Sequence, residues 1–283
     1  IIAIVGFGSF SEMLQNSSKR QNSMGGIVNF CILTIILSLV ASIITDFVVD
    51  TTNILTKTKL IMEVVFPLIL SFLVVAGGTY SSSAFQPAVV VLTGGVIEIV
   101  TILTSTTIIL YLILSVLGEL SENIKLEKLK GFISSTYKWV VGLIFTIFMG
   151  YLSLSGITSS GADGLSIKTA KYAIKSYLPL VGGYVSDSYE IFRVGSVVIK
   201  NSIGAISVVL LFAIIIGKVV TLILYNLGFK LASGLSEPFG MNKITKFLAS
   251  LSTIFNFLIA GIVVCFLLSA ITLFILMSVG NMV

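Results

Sequence analysis

Long apolar runs alternate with short polar stretches along most of the chain. Several of these runs exceed the roughly 18 to 20 residues that an α-helix needs to cross a bilayer. The apolar runs lie at about 27–49, 60–80, 84–117, 138–157, 203–229 and 253–279, and residues 1–10 resemble the end of a further span. The pattern predicts an all-α, polytopic transmembrane helix bundle of about six to eight membrane segments. We expect residues 1–283 to form a single transmembrane domain.

Short polar stretches predict where the helices are interrupted. An amphipathic linker follows residue 49, and a brief loop is expected at 81–83. The run at 84–117 would be roughly 50 Å long as one helix, which is too long for an ordinary crossing. Gly94-Gly95 and the hydroxyl-rich residues 101–107 are its two candidate break points. Whether this run is one helix or two segments stays open.

Residues 161–204, hereafter the polar segment, depart most clearly from the apolar pattern because they combine charged residues with Pro179 and Gly182-Gly183. The spacing predicts an amphipathic helical hairpin, with the first helix interrupted at Pro179 and the second ending near Lys200-Asn201. The hairpin is either re-entrant or surface-lying. Lysines occur on both sides of the predicted spans, so the positive-inside rule does not fix the orientation.

The charged residues of the polar segment are candidate partner or lipid contacts. Lys168, Lys171 and Lys175 lie at i, i+3 and i+7, which places them on one helix face. That face suits lipid phosphates better than a docking subunit. The remaining candidates are Asp187, Arg193 and Lys200, and the spacing of Asp187, Glu190 and Arg193 favours structural ion pairing over a proton relay.

Three ionisable residues fall inside apolar runs, where charge is costly: Glu63, Glu98 and Lys218. Glu63 has a structural explanation, since Lys59 lies four residues earlier on the same predicted helix. Glu98 and Lys218 are deep enough in their runs to form an intramembrane pair, or to line a pore or substrate site.

Composition supports a membrane protein and narrows the chemistry. Hydrophobic residues make up 56% of the chain, charged residues 10%, and the mean hydropathy is +1.12. The net charge of +5 comes from lysines clustered in short loops, which suits anionic lipids, so we expect no nucleic-acid partner. Cys31 and Cys265 lie in apolar runs and there is no His, so we expect core thiols, no metal and no cofactor. We also expect no catalytic site, because no nucleophile–base pair stands out.

The chain starts at Ile1, inside an apolar run and without an initiator Met, so we expect an N-terminal region upstream of it.

The polar segment also carries a family resemblance. Its elements KTAKYAI, LPLVGGYVSDS and KNSIG follow one another as in the stage III sporulation protein AE family of endospore-forming bacteria. LSENIKLEKLKGFISS and LASGLSEPFG resemble other segments of that family. The resemblance implies a polytopic mother-cell membrane protein that works with other proteins of a sporulation channel complex, including a forespore-membrane partner. It implies no catalytic residue and identifies no transported species.

Two functional hypotheses follow. The preferred one is a structural or pore-forming membrane subunit that forms a homo-oligomer, contacts membrane lipids and requires partner proteins. The alternative is a self-sufficient secondary transporter with a mid-membrane site at Glu98 and Lys218.

Overall fold

The computed structural model describes residues 24–120, 126–177, 182–238 and 242–279. Throughout these ranges the regular structure is helical, and they contain no β-strand, which confirms the all-α prediction. A short π-helical stretch, Leu92–Val96, separates the second helix from the third. In chain order the helices are α1 (Met24–Val75), α2 (Thr79–Val91), α3 (Ile97–Leu120), α4 (Glu127–Tyr177), α5 (Gly182–Ser236) and α6 (Asn242–Ser278).

Five helical stretches in the described ranges are long and apolar enough to cross a membrane. They are Ser38–Val75, Thr79–Gly118, Glu127–Gly156, Ser186–Ser236 and Ile244–Ser278. This count is below the predicted six to eight, because runs expected to be separate segments are joined into continuous helices. The expected span at residues 1–10 lies outside the described residues.

Helix α1 joins two runs that were predicted to be separate spans. It continues for 52 residues, about 78 Å at the usual rise per residue. The predicted linker is helical because its buried residues keep helical spacing: Thr51, Leu55, Thr58 and Met62 are each at most 2% exposed. The linker therefore extends the packed face of the first run into the second.

The predicted loop at 81–83 is wrong, because the turn between α1 and α2 lies earlier in the chain. Gly77 has a φ of 89°, a conformation that glycine adopts without a Cβ penalty. The amides of Gly77 and Gly78 donate to the carbonyls of Val74 and Leu73 at 2.9 and 2.8 Å. These bonds end α1 as a glycine C-terminal cap does, and residues 81–83 lie within α2.

The run at 84–117 is helical throughout, with one irregularity. The π-helical stretch contains Gly94-Gly95, the first of the two predicted break points. Residues 101–107, the second, lie within the uninterrupted α3. The chain thus changes helical geometry at the glycine pair without forming a turn.

The predicted hairpin is made of the ends of two long helices. Helix α4 runs on past residue 157, where a span was expected to end, and reaches Tyr177. Helix α5 starts at Gly182 and continues far beyond Lys200-Asn201, where the second helix of the hairpin was expected to end. Residues 178–181, which include Pro179, lie outside the described residues. Both arms are therefore continuous with membrane-span helices.

The helices contribute to two compact units. The first contains the chain up to Asn53, Thr101–Trp139 and Ile216–Ile262. Its core has an aromatic cluster in which the Phe255 ring lies 5.1 Å from Phe47 and 5.4 Å from Phe229, measured between centroids. Nearby in the same unit, the Tyr137 hydroxyl donates to the Phe257 carbonyl at 3.0 Å. Aromatic packing and this buried hydrogen bond fix α4 and α6 within the unit.

The second unit contains Ile54–Val100, Val140–Ile215 and Val263–Val283. Its core includes the fully buried side chains of Phe66, Phe85, Leu152, Leu211 and Leu268. The whole polar segment falls within the ranges of this unit. The positions of its charged side chains are therefore set by packing within the second unit.

Candidate functional site

Asp163, at the start of the polar segment, caps the first turn of α2. Its carboxylate accepts hydrogen bonds from the backbone amides of Tyr80 at 2.9 Å and Ser81 at 3.1 Å. Residue Asp163 is 1% exposed, and α2 has no cap from its own N-cap residue, Gly78. A carboxylate from α4 thus supplies both the missing acceptors and a negative charge at the positive end of the helix dipole.

Ile167 of α4 and Tyr189 of α5 pack at the turn before α2. A Cβ on Gly77 would lie 2.8 Å from Cγ1 of Ile167 and 3.2 Å from the Tyr189 hydroxyl. Only glycine fits in this space without displacing Ile167. The turn is therefore enclosed by α4 and α5. Asp163 caps α2, the helix that follows this turn.

Lys200, near the end of the polar segment, binds the opposite end of a helix. Its side chain is buried, and its ammonium group donates to the carbonyl of Met277 at 3.2 Å and to the carbonyl of Val279. These carbonyls lie at the C-terminus of α6, where the helix dipole is negative. Gly204, one turn further along α5, lets Met277 approach closely, since a Cβ there would lie 2.5 Å from the Met277 side chain.

The other predicted contact residues of the polar segment have different environments. Arg193 and Glu190 form the ion pair that their spacing predicted, with 3.0 Å between Nη1 and Oε1. Lys168 and Asp187 are exposed, as a lipid or partner contact requires. The side chains of Lys171 and Lys175 lie outside the described residues, although both positions are within α4. Contact with lipid or a partner stays a prediction for these residues.

Glu98 and Lys218, predicted as a possible pair, each bind another residue. Glu98 accepts from Lys59 at 3.1 Å, joining α3 to α1 within the second unit. This leaves exposed Glu63 without the Lys59 contact expected from their spacing, because Lys59 reaches across to α3 instead of along its own helix.

In the first unit, Lys218 binds Asp50 at 2.6 Å and lies 4.4 Å from the centre of the Phe47 ring. The Lys218 side chain is only 12% exposed, so the carboxylate and the aromatic face replace much of its hydration. Each residue therefore has an opposite charge within its own unit, and a Glu98–Lys218 pair stays a prediction.

Asp163 and Asp50 were not selected from the sequence as site residues. Asp163 is a lone carboxylate among small residues, and the amides it binds are 83 and 82 residues away. Asp50 was placed in a linker, and its partner is 168 residues away. Helical periodicity carries no information about such distant partners.

The two cysteines offer little chemistry. Cys265 is a buried thiol without a disulfide in α6, and the side chain of Cys31 lies outside the described residues. Across the described ranges, no group of three or more Cys, Asp or Glu side chains is placed to hold a metal ion.

Long apolar helices, with charged side chains bound to helix ends and to one another, define a polytopic α-helical membrane protein. The chain belongs to the stage III sporulation protein AE family, whose profile matches residues 1–280. Stage III sporulation protein AE of Bacillus subtilis (strain 168) is 22% identical over 282 residues, a match that covers 100% of this chain and 70% of that relative. No solved structure matches the chain significantly. The family resemblance inferred from the polar segment is confirmed.

Replacing Asp163 with Ala should destabilise the second unit, because two amides at the start of α2 lose their acceptor in a buried site. We expect a loss of about 1–3 kcal/mol, measured as the free energy of unfolding of the purified protein in detergent. Asp163→Asn should cost less, since one side-chain oxygen remains. Asp187→Ala is the matched control at an exposed aspartate of the same unit. Equal losses for Asp163→Ala and Asp187→Ala would contradict the capping role.

Replacing Lys200 with Met should also destabilise the protein, since Met keeps the apolar stem and removes the cation from the end of α6. The expected loss is about 1–3 kcal/mol, because a charge-assisted hydrogen bond and a helix-dipole interaction are removed together. Lys168→Met, at an exposed lysine of the same unit, should leave the unfolding midpoint unchanged. An unchanged midpoint for Lys200→Met would rule out the anchoring role.

Proposed function

We propose that this chain is a pore-forming or scaffolding subunit of a membrane complex that links the mother cell and the forespore during sporulation. It resides in the mother-cell membrane around the forespore and has no enzymatic activity. It forms a homo-oligomer and works with other proteins of the complex, including one in the forespore membrane. The observation that carries this proposal is the use of the chain's intramembrane charges as internal connections between helices.

The ion pairs favour a structural role over transport through a site at Glu98 and Lys218. A coupling site needs a charged group that can exchange its partner for an ion or a substrate. Lys218 is instead largely enclosed by Asp50 and Phe47, and Glu98 is bound to Lys59. The secondary-transporter hypothesis therefore gains no support from these two residues.

The outer surfaces of the helices are consistent with assembly in a membrane. Large apolar side chains of α5 remain open, including Ile191 and Phe192, which are 73% and 74% exposed. In a bilayer such side chains contact lipid chains or the helices of neighbouring subunits. Family membership supplies the sporulation setting for this proposal.

Glu98→Gln and Lys218→Met test the proposal in an endospore-forming host that lacks its own copy of the gene. We expect both variants to reduce spore yield in proportion to the loss of assembled protein, because each removes one partner of an ion pair between helices. Spore counts, membrane protein amount and complex size on native gels are measured on the same cultures. Glu63→Gln, at an exposed glutamate of α1, is the control and should sporulate normally.

A different result would favour transport. If Glu98→Gln or Lys218→Met accumulates and assembles like the unmodified protein while spore formation is lost, the residue is needed for something other than helix packing. That outcome would overturn the structural assignment of the ion pair concerned.

A further inference from the structure

A pocket of about 390 Å³ with a mixed polar and apolar lining lies within the first compact unit, between the N-terminal parts of α4 and α6. The residues that line this pocket have no role in the functional hypotheses described above. Its charged lining consists of Lys130, Lys138, Lys246 and Glu127, and its hydroxyl groups include those of Ser134 and Ser250. The pocket thus brings three lysines together at one end of two membrane-span helices.

The charges of the pocket are unbalanced. Glu127 binds Lys246 at 2.7 Å, which leaves Lys130 and Lys138 as the excess positive charge. Residue Lys130 is only 8% exposed, and its ammonium group donates to the neutral Ser250 hydroxyl at 3.1 Å. Neither Lys130 nor Lys138 forms an ion pair with any acidic residue in the described ranges. A buried ammonium bound only to a hydroxyl keeps most of its attraction for an anion.

Other donors reinforce this attraction. Helix α4 begins at Glu127, which lines the pocket, so the positive end of this helix dipole lies beside it. The Ser134 hydroxyl can donate to an oxyanion without competing with the lysines. The Lys246–Glu127 pair is well exposed, with side-chain exposures of 60% and 65%, so this ion pair is weak.

We propose that this pocket binds a phosphate group, with Lys130 and Lys138 as its principal cationic contacts. Lysine ammonium groups act as point charges toward phosphate oxygens, and hydroxyls complete the coordination. The pocket lies in the N-terminal parts of two helical stretches that are long and apolar enough to span a membrane, and such ends face lipid head groups in a spanning helix, so an anionic phospholipid is the favoured source. A soluble phosphate compound has the same chemistry and is the other source. This inference does not depend on the proposed function.

The sole tryptophan of the chain provides a local probe. Trp139 follows Lys138 on α4 and is 67% exposed. The protein is reconstituted in phosphatidylcholine vesicles that contain increasing fractions of brominated phosphatidylglycerol, and quenching of Trp139 fluorescence is compared with quenching by brominated phosphatidylcholine. The ratio of quenching by brominated phosphatidylglycerol to quenching by brominated phosphatidylcholine gives the preference for the anionic lipid beside the pocket.

Two substitutions should change this preference in opposite directions. Lys138→Met should lower it about fivefold, the usual contribution of one lysine at a charged membrane surface. Glu127→Gln removes a negative charge from the pocket and should raise it. Lys230→Met, at an exposed lysine of α5 in the same unit but outside the pocket, should leave it unchanged. The opposite signs separate phosphate binding from a general loss of folding.

A second measurement identifies the source of the phosphate. Inorganic phosphate is added to protein in phosphatidylcholine vesicles, and the unfolding midpoint is compared with that in sodium chloride of equal ionic strength. A rise in midpoint that is lost in Lys138→Met, with no lipid preference, supports a soluble phosphate ligand. A lipid preference with the predicted variant pattern supports the phospholipid. Absence of both effects, or equal responses of Lys138→Met and Lys230→Met, overturns the proposal.

Discussion

A bilayer provides no water to charged side chains or to the unpaired backbone groups at helix ends, so a membrane protein must satisfy both internally. In the second unit of this chain, charged side chains bind the unpaired backbone groups at helix ends, so one contact satisfies both requirements. The carboxylate of Asp163 accepts from free amides at the start of α2, and the ammonium group of Lys200 donates to carbonyls at the end of α6. Each contact pairs a costly charge with a costly helix end, and each charge has the sign that the helix dipole favours.

This constraint gives a physical meaning to the polar segment, which also carries the family resemblance. Asp163 and Lys200 lie near its two ends, and both bind helices outside the segment. Gly204, in the KNSIG element, makes room for Met277 beside the Lys200 contact. The segment therefore connects α2, α4, α5 and α6 within one unit.

Much of the architecture could be predicted from local pattern. Apolar run length predicted membrane helices, residue spacing predicted the Glu190–Arg193 pair, and Gly94-Gly95 marked the helical irregularity. Helix boundaries were less predictable, because the linker within α1 is held helical by buried residues whose partners are distant in sequence. The partners of Glu98 and Lys218 lie 39 and 168 residues away, and several carboxylates and lysines were equally plausible from the sequence. The actual partners are set by proximity in the folded chain, which sequence periodicity does not encode.

We propose that charges within the membrane helices connect helices and do not carry cargo. Exchanging the charges of one pair, Lys59→Glu together with Glu98→Lys, tests it most directly, because a structural ion pair depends on opposite signs and not on which helix bears which sign. The measurement is spore yield of the double variant beside each single variant in an endospore-forming host. The account predicts that each single change lowers the yield and that the exchange restores it. A double variant that assembles normally but remains unable to sporulate would contradict the claim, since the glutamate would then be required at position 98 itself.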